Sequence, residues 1–355
     1  MHSKIRIQNI FHMLSYAFRA LRRKSYENLA VEDFDNINDL LTSILTKGLK
    51  DLIKSGLGKN YILMTEDIST VRGKISMPAI ARKVGRANRT LTCEFDEFSE
   101  NILMNRIIKT AGISLLRSSV KPELKRDLKG VLMYLNGLDS IDPKMIRWDT
   151  VRYNKNNANY EMLINISRMV LEKTLLTENA GQTLLSTFED DQKMSSLYER
   201  FVLEYFRKHY PMLHASSRHV DWNTESPLAY LPTMKTDISL RYKGKTLIID
   251  TKYYGNILSE YRGFRGLHSA NLYQVYSYMK NEDHEKAGCV DGMLLYAKTI
   301  HETVPDLDYN MDGNILSIRT LDLNTDFSEI KKRLNGIVEN WLPEFKMKSG
   351  AADGN

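Results

Sequence analysis

The feature that most constrains the fold of this sequence is a pair of β-rich runs, residues 237–242 and 246–251, separated by Lys243-Gly244. This dipeptide is the turn signal between the runs, because glycine readily adopts the positive φ that tight hairpin turns need. If the turn contains two residues, its position fixes the register of the whole hairpin. The sequence therefore predicts an antiparallel hairpin in which Asp237 lies directly opposite Asp250.

The charged side chains of this hairpin form a candidate metal site. Since side chains alternate along a strand, Asp237, Asp250 and Lys252 share one face, and the two acids have Cβ atoms roughly 5 Å apart. Leu247 and Ile249 point to the opposite, apolar face. Two adjacent carboxylates repel each other, and a divalent cation removes that repulsion. Mg²⁺ suits these oxygen ligands and keeps open positions for water and phosphate.

The pattern thus predicts a Mg²⁺ site with Asp237 and Asp250 as ligands. The metal would lower the pKa of a bound water and stabilise the charge that develops on a phosphodiester. Lys252 would orient that water or neutralise the phosphate. One alternative stays open at this stage: Asp250 and Lys252 form a structural ion pair, and Asp237 is an unrelated acid at a strand end.

Two predicted helices carry further candidates. Gln274 and Tyr278 lie one turn apart on a helix after the hairpin, so they share one face. Gln274 could hold the attacking water or a phosphate. Glu199, on the helix before the hairpin, could be a third carboxylate ligand for the metal. The alternative for these residues is an ordinary polar helix face.

Apolar periodicity predicts the remaining elements. In the first half, helices are expected within residues 7–24, 35–57 and 101–118, and short strands and turns within 60–95. The second half mixes helices and strands, which indicates a central sheet covered by helices. Its helices are expected over 194–210, 269–280 and 326–341, and its strands over 228–234, 237–242, 246–251, 292–297 and 315–321. We therefore expect an α/β chain with an α+β domain over residues 1–165, a second domain over 166–345 and a frayed tail over 346–355.

Composition excludes several classes of protein. No run approaches the ~18 apolar residues that span a membrane, and we expect a cytoplasmic protein without membrane contact. Cys93 and Cys289 lack a CxxC motif or a Cys/His cluster, which argues against a disulfide framework or structural zinc. The formal net charge of +6 over 355 residues is a mild excess. The stretch Gly56–Asn60 lacks the spacing and the hydroxyl of a GxxxxGK[ST] loop, so nucleotide chemistry is expected to belong to a partner.

Basic residues form two short clusters. The first, in the N-terminal half, could contact a partner or DNA phosphates, and consists of Arg82, Lys83, Arg86 and Arg89. The second, Arg262 and Arg265, follows the hairpin, where a scissile DNA strand would approach. A solvated loop is the alternative for the first cluster.

The pattern Asp237…Asp250-Thr251-Lys252 resembles that of the PD-(D/E)xK nucleases, with Thr236 where a proline is usual. A wider set of segments is similar to the McrC family, the nuclease subunits of McrBC modification-dependent restriction systems. These segments are residues 7–10, 13–17, 72–75, 105–109, 194–206, 236–238, 249–254 and 268–274.

The resemblance implies a C-terminal PD-(D/E)xK endonuclease domain, with a central mixed sheet flanked by helices, preceded by an N-terminal α+β domain that docks on a partner. The implied partner is an McrB-like AAA+ GTPase hexamer, which binds GTP and whose hydrolysis the chain stimulates. The implied substrate is double-stranded DNA with modified cytosine, cleaved with Mg²⁺. The alternatives are a non-catalytic assembly or activator subunit with a nuclease-like fold, and a stand-alone nuclease such as a repair enzyme.

Overall fold

The computed structural model describes residues 5–22, 26, 28–29, 32, 34–78, 90–154, 157–179, 185–225, 229–253, 258–261, 264–298 and 306–345. Within these ranges it leaves the side chains of residues 19, 173–179, 185–193, 258–261 and 264–265 undescribed. The chain divides into two compact units. We call residues 1–34 with 183–355 the sheet unit, and residues 35–182 the inserted unit.

The helices are α1 (Ile7–Ala17), α2 (Ile37–Ser55), α3 (Leu103–Arg117), α4 (Pro122–Leu132), α5 (Tyr160–Asn179), α6 (Leu185–His209), α7 (Ser269–Glu282) and α8 (Phe327–Trp341). The strands are β1 (Asn60–Ile68), β2 (Lys74–Ile75), β3 (Leu91–Ser99), β4 (His219–Val220), β5 (Met234–Lys235), β6 (Ile238–Tyr242), β7 (Lys245–Tyr253), β8 (Leu258–Tyr261), β9 (Phe264–Leu267), β10 (Val290–Lys298), β11 (Leu307–Met311) and β12 (Asn314–Asp322). In the part of the chain described, no helix has the length and apolarity needed to cross a membrane.

The inserted unit has the α+β character that the sequence predicts. Helices α2 to α5 pack on one another, and β1, β3 and β2 form an antiparallel sheet in that order. A buried hydroxyl ties the unit together, because Tyr160 accepts from the amide of Gly58 at 2.6 Å and donates to Asn105 at 2.7 Å. Gly73, with φ 69°, lets the chain pass so close to β3 that a Cβ would meet the carbonyl oxygen of Glu94 at 2.3 Å.

The sheet unit is built on a five-stranded mixed sheet in the order β11-β12-β10-β7-β6. Strand β10 runs parallel to both β7 and β12, while β6 and β11 are antiparallel to their neighbours. Helices α6, α7 and α8 pack against the sheet and bury its apolar residues. Gly292 in β10 allows α7 to approach closely, because a Cβ there would lie 2.3 Å from Met279 Sδ and 2.6 Å from Val275 Cγ1.

Helix α1 belongs to the sheet unit, which corrects the expected division of the chain at residue 165. Tyr16 packs edge-on against Phe201 of α6, with ring centroids 5.4 Å apart, and its hydroxyl meets His209 Nε2 at 2.8 Å. Residues 1–34 therefore join the C-terminal half, and the expected boundary falls inside α5. The expected tail, residues 346–355, lies outside the described residues.

Most predicted elements of the sheet unit are confirmed, with one exception. The predicted strand over 228–234 is wrong for residues 229–233, which form no strand. Tyr230 has a left-handed φ of 70°, and Pro232 has no amide hydrogen to give to a ladder. The carbonyl of Pro232 instead accepts from the indole of Trp222 at 2.8 Å.

Candidate active site

The β6–β7 hairpin has the predicted register. Tyr242 pairs with Lys245 and Ile238 with Ile249. The two turn residues, Lys243-Gly244, both have positive φ, 47° and 81°, as a two-residue turn of the primed type requires. Strand β6 begins at Ile238, so the first acid lies just before the ladder, and the same register carried one step further sets it opposite the second acid.

Asp250 is a fully buried carboxylate at the centre of the site. Its Oδ2 lies 2.7 Å from the ammonium of Lys252, yet among the described residues neither carboxylate oxygen has a hydrogen-bond partner of acceptable geometry. Burial, together with the charges of Asp237 and Glu199, raises the pKa of Asp250 to about 7, although Lys252 lowers it. The ammonium reaches Oδ2 only, and a buried carboxylate oxygen such as Oδ1, with no hydrogen-bond partner among the described residues, is costly.

Asp237 is fixed by the residue that lies between the second acid and the lysine. Its Oδ2 accepts from the backbone amide of Thr251 at 2.8 Å and from the hydroxyl of Thr251 at 2.9 Å. Sequence reasoning missed Thr251, although a hydroxyl residue next to Asp250 was a visible signal. The structure therefore places both acids near one another, each held by a different neighbour.

Lys252 lies in a short chain of polar contacts. Its Nζ donates to Gln274 Oε1 at 3.2 Å, and Gln274 Nε2 donates to the hydroxyl of Tyr278 at 2.9 Å. From the sequence, we expected that Gln274 could hold the attacking water or a phosphate. In the structure its side-chain oxygen accepts a hydrogen bond from Lys252. Tyr278 is buried, so it orients the amide of Gln274 from within the core.

Glu199 reaches the same electrostatic environment from α6. Burial, and after it the charge of Asp237, raises the pKa of Glu199 to about 7, while Lys235 and Lys252 lower it. Within the described ranges, however, no three His, Cys, Asp or Glu side chains converge as a ligand group for a metal ion. The residues that could hold a divalent cation are Asp237 and Asp250, because the buried Asp250 has only the ammonium of Lys252 beside its Oδ2 and no hydrogen bond of acceptable geometry among the described residues.

The structure does not describe the side chains of either basic cluster, so their predicted roles stay predictions. Arg82, Lys83, Arg86, Arg89 and Arg262 lie outside the described residues. The backbone of Arg265 pairs with Glu260 in the β8–β9 hairpin, but its side chain is also outside the described part.

The fold and the site define a mixed α/β protein whose central sheet carries a buried acid beside a lysine and a second acid. The sequence profile of the McrBC 5-methylcytosine restriction system component family matches residues 2–297, and the chain belongs to this family.

One relative and two solved structures are similar to this chain. The Type IV methyl-directed restriction enzyme EcoKMcrBC of Escherichia coli (strain K12) is 28% identical over 344 residues, 95% of this chain and 98% of the relative. The refined half-complex from the tetradecameric assembly of Thermococcus gammatolerans McrB AAA+ hexamers with bound McrC matches 93% of this chain and 76% of that chain, with a TM-score of 0.47 and 17% identity. The cryo-EM structure of the Thermococcus gammatolerans McrBC complex matches 56% of each chain, with a TM-score of 0.38 and 19% identity.

Proposed function

We propose that this chain is the endonuclease subunit of a modification-dependent restriction complex, and that its sheet unit is a PD-(D/E)xK nuclease domain that hydrolyses DNA phosphodiesters. The observation that carries the proposal is Asp250, a fully buried acid with the Lys252 ammonium beside Oδ2 and, among the described residues, no hydrogen bond of acceptable geometry at either oxygen. Packing alone gives no reason to bury such a group. A divalent cation between Asp250 and Asp237 would give those oxygens a partner.

Asp237 and Asp250 would hold Mg²⁺, and Glu199, whose charge acts on both acids, is the candidate third carboxylate. When bound, the metal supplies a water of lowered pKa and positive charge for the developing phosphorane. Lys252 is held by Asp250 and Gln274, so its ammonium is already in place to stabilise the same negative charge.

Two other residues keep this arrangement fixed. Thr251 donates twice to Asp237 and so sets the direction of that carboxylate. Tyr278 accepts from Gln274 and so keeps the amide oxygen directed at the lysine. Preorganised groups of this kind avoid the cost of reorientation when the phosphodiester is attacked.

The proposed partner is an McrB-like AAA+ GTPase hexamer, which binds GTP and whose hydrolysis this chain stimulates. The N-terminal half would dock on the partner, and Arg82, Lys83, Arg86 and Arg89 stay candidates for that contact. Arg262 and Arg265 stay candidates for DNA contact. The proposed substrate is double-stranded DNA with modified cytosine, in the cytoplasm. Family membership supports these proposals, as does the E. coli relative, which is a methyl-directed restriction enzyme.

The test is cleavage of methylated plasmid by the chain with its cognate GTPase, GTP and Mg²⁺. Wild type is compared with Asp250→Asn and with Asp221→Asn, a matched change at an exposed acid. Cleavage by wild type and Asp221→Asn, but not by Asp250→Asn, is the expected result. Equal cleavage by all three would remove the site. If none cuts but GTP hydrolysis still rises, the chain is the non-catalytic activator subunit.

A further inference from the structure

A cluster of basic and aromatic side chains lies on the sheet unit, away from the acids. It is contributed by α1 and the turn after it, by the end of α6 and by the start of α8. We call it the basic–aromatic patch and define it as Tyr16, Arg22, Lys208, His209, Phe327 and Lys331. None of these residues belongs to the candidate active site, and no step of the proposed hydrolysis uses them.

The patch is compact. The guanidinium of Arg22 lies 5.2 Å and the ammonium of Lys208 5.3 Å from the ring centroid of Tyr16. The ring of Tyr16 lies 6.0 Å from that of Phe327, which Lys331 covers at 5.4 Å. The aromatic rings therefore fix four groups that are cationic or can become so, His209 included, within one small area.

The positive charge of the patch is not neutralised by the described residues. Burial lowers the pKa of Lys208, and the cations Arg22 and Lys331 lower it further. The pKa of His209 is also lowered, first by burial and then by the charges of Lys208, Lys331 and Arg22. No acid offsets these effects, and the sequence from Ile7 to Arg22 contains no Asp or Glu.

Neighbouring basic residues on the same helices behave differently, because they pair with acids. Arg207 Nη1 lies 2.7 Å from Glu204 Oε1, and Lys332 Nζ lies 3.8 Å from Glu329 Oε2. The cations of the patch thus differ from these neighbours in having no ion-pair partner among the described residues. Such a surface fits a ligand of high negative charge density.

We infer that the basic–aromatic patch binds the phosphate backbone of duplex DNA, as a second contact surface outside the cleavage site. Membership in a DNA restriction family and the density of cations favour this ligand over an acidic protein segment. Lys208 follows Glu199 by nine residues on α6, which is roughly 14 Å along the axis and half a turn around it. The patch therefore holds DNA at a different place from the acids.

The test is fluorescence anisotropy of a labelled unmodified duplex with the full-length chain in EDTA, over a series of salt concentrations. Lys208→Gln/Lys331→Gln is compared with the control Lys280→Gln/Lys332→Gln, which removes the same charge from lysines that already pair with Asp312 and Glu329. The patch variant is expected to raise Kd about tenfold. Its log Kd against log salt slope should fall by about 2, since each phosphate contact contributes about 0.9. The control should stay within about twofold of wild type.

Each outcome decides the inference. A weaker Kd and a smaller salt slope in the patch variant alone, with an unchanged melting temperature, support it. Equal losses in both double variants would show a general effect of net charge and overturn it. Unchanged DNA affinity overturns it too, and if stimulation of the partner GTPase is then lost, the patch is a protein-docking surface. Because EDTA prevents cleavage, failure of the nuclease proposal does not affect this result.

Discussion

Replacing Asp250 with asparagine is expected to remove most of a pH dependence of stability that the buried acid creates. The pKa of Asp250 in the folded chain is about 7, against an ordinary value of 3.8. The folded state therefore binds this proton more tightly than the unfolded state does. Without metal, the free energy of unfolding falls as pH rises from about 4 to about 7, and levels off above that. Roughly three units at 1.4 kcal/mol each give a loss of about 4 kcal/mol.

The assay is urea unfolding in EDTA at pH 5, 6, 7 and 8, followed by the fluorescence of the three tryptophans. Asp250→Asn cannot ionise, so its stability should change less with pH and should exceed that of wild type at pH 8. A smaller slope should remain, because the pKa of Glu199 is also raised to about 7. Asp221→Asn, a change at an exposed acid, should follow wild type.

Mg²⁺ provides the second half of the experiment. A ligand that binds the folded state stabilises it, so millimolar Mg²⁺ should raise the stability of wild type at pH 8 and that of Asp250→Asn much less. Wild-type stability that is flat from pH 5 to 8 in EDTA, or an equal slope in Asp250→Asn, would refute the reasoning about the buried acid.

Three further predictions concern the supports of the site. Thr251→Val removes the hydroxyl donated to the first acid but keeps the backbone amide, and should slow cleavage about tenfold, equivalent to about 1.4 kcal/mol, with an unchanged melting temperature. Tyr278→Phe removes the hydroxyl that accepts from the glutamine amide, and should lower kcat severalfold with KM unchanged in steady-state cleavage. Gly292→Ala should destabilise the chain by about 1–3 kcal/mol in urea unfolding, because its Cβ would overlap α7. Gly336→Ala, which meets no atom within 4 Å, is its control and should be neutral or stabilising.

The hairpin was predictable because its determinants are local. Lys243-Gly244 sets the turn, and strict alternation then sets the face of every residue in β6 and β7. The hydroxyl of Thr251 was visible in the sequence, but its contact with Asp237 was not, since that contact depends on where the ladder ends. Likewise, the strand predicted before the hairpin is interrupted at Tyr230. This residue has a left-handed backbone conformation that a tyrosine side chain does not predict.

Long-range packing was also hidden in the sequence. The apolar face of α1 could be seen in the sequence, but this pattern does not predict that α6 is the helix packed against it. The basic–aromatic patch also depends on long-range packing, because Arg22, Lys208 and Lys331 come from the turn after α1, from α6 and from α8. Gln274 was identified from its position on α7, while its bond to Lys252 required the spacing between α7 and the sheet.

Helices α1 and α6 are in contact but lie far apart in the sequence, and this matters during synthesis of the chain. Tyr16 meets a partner 193 residues further along, His209. At ~5–20 residues per second, a ribosome needs about 10–40 s to supply that partner. The whole of the inserted unit emerges during this interval and can fold first. Meanwhile the apolar face of α1 has no native surface to cover it, so this helix is exposed to aggregation and to capture by chaperones until α6 is made.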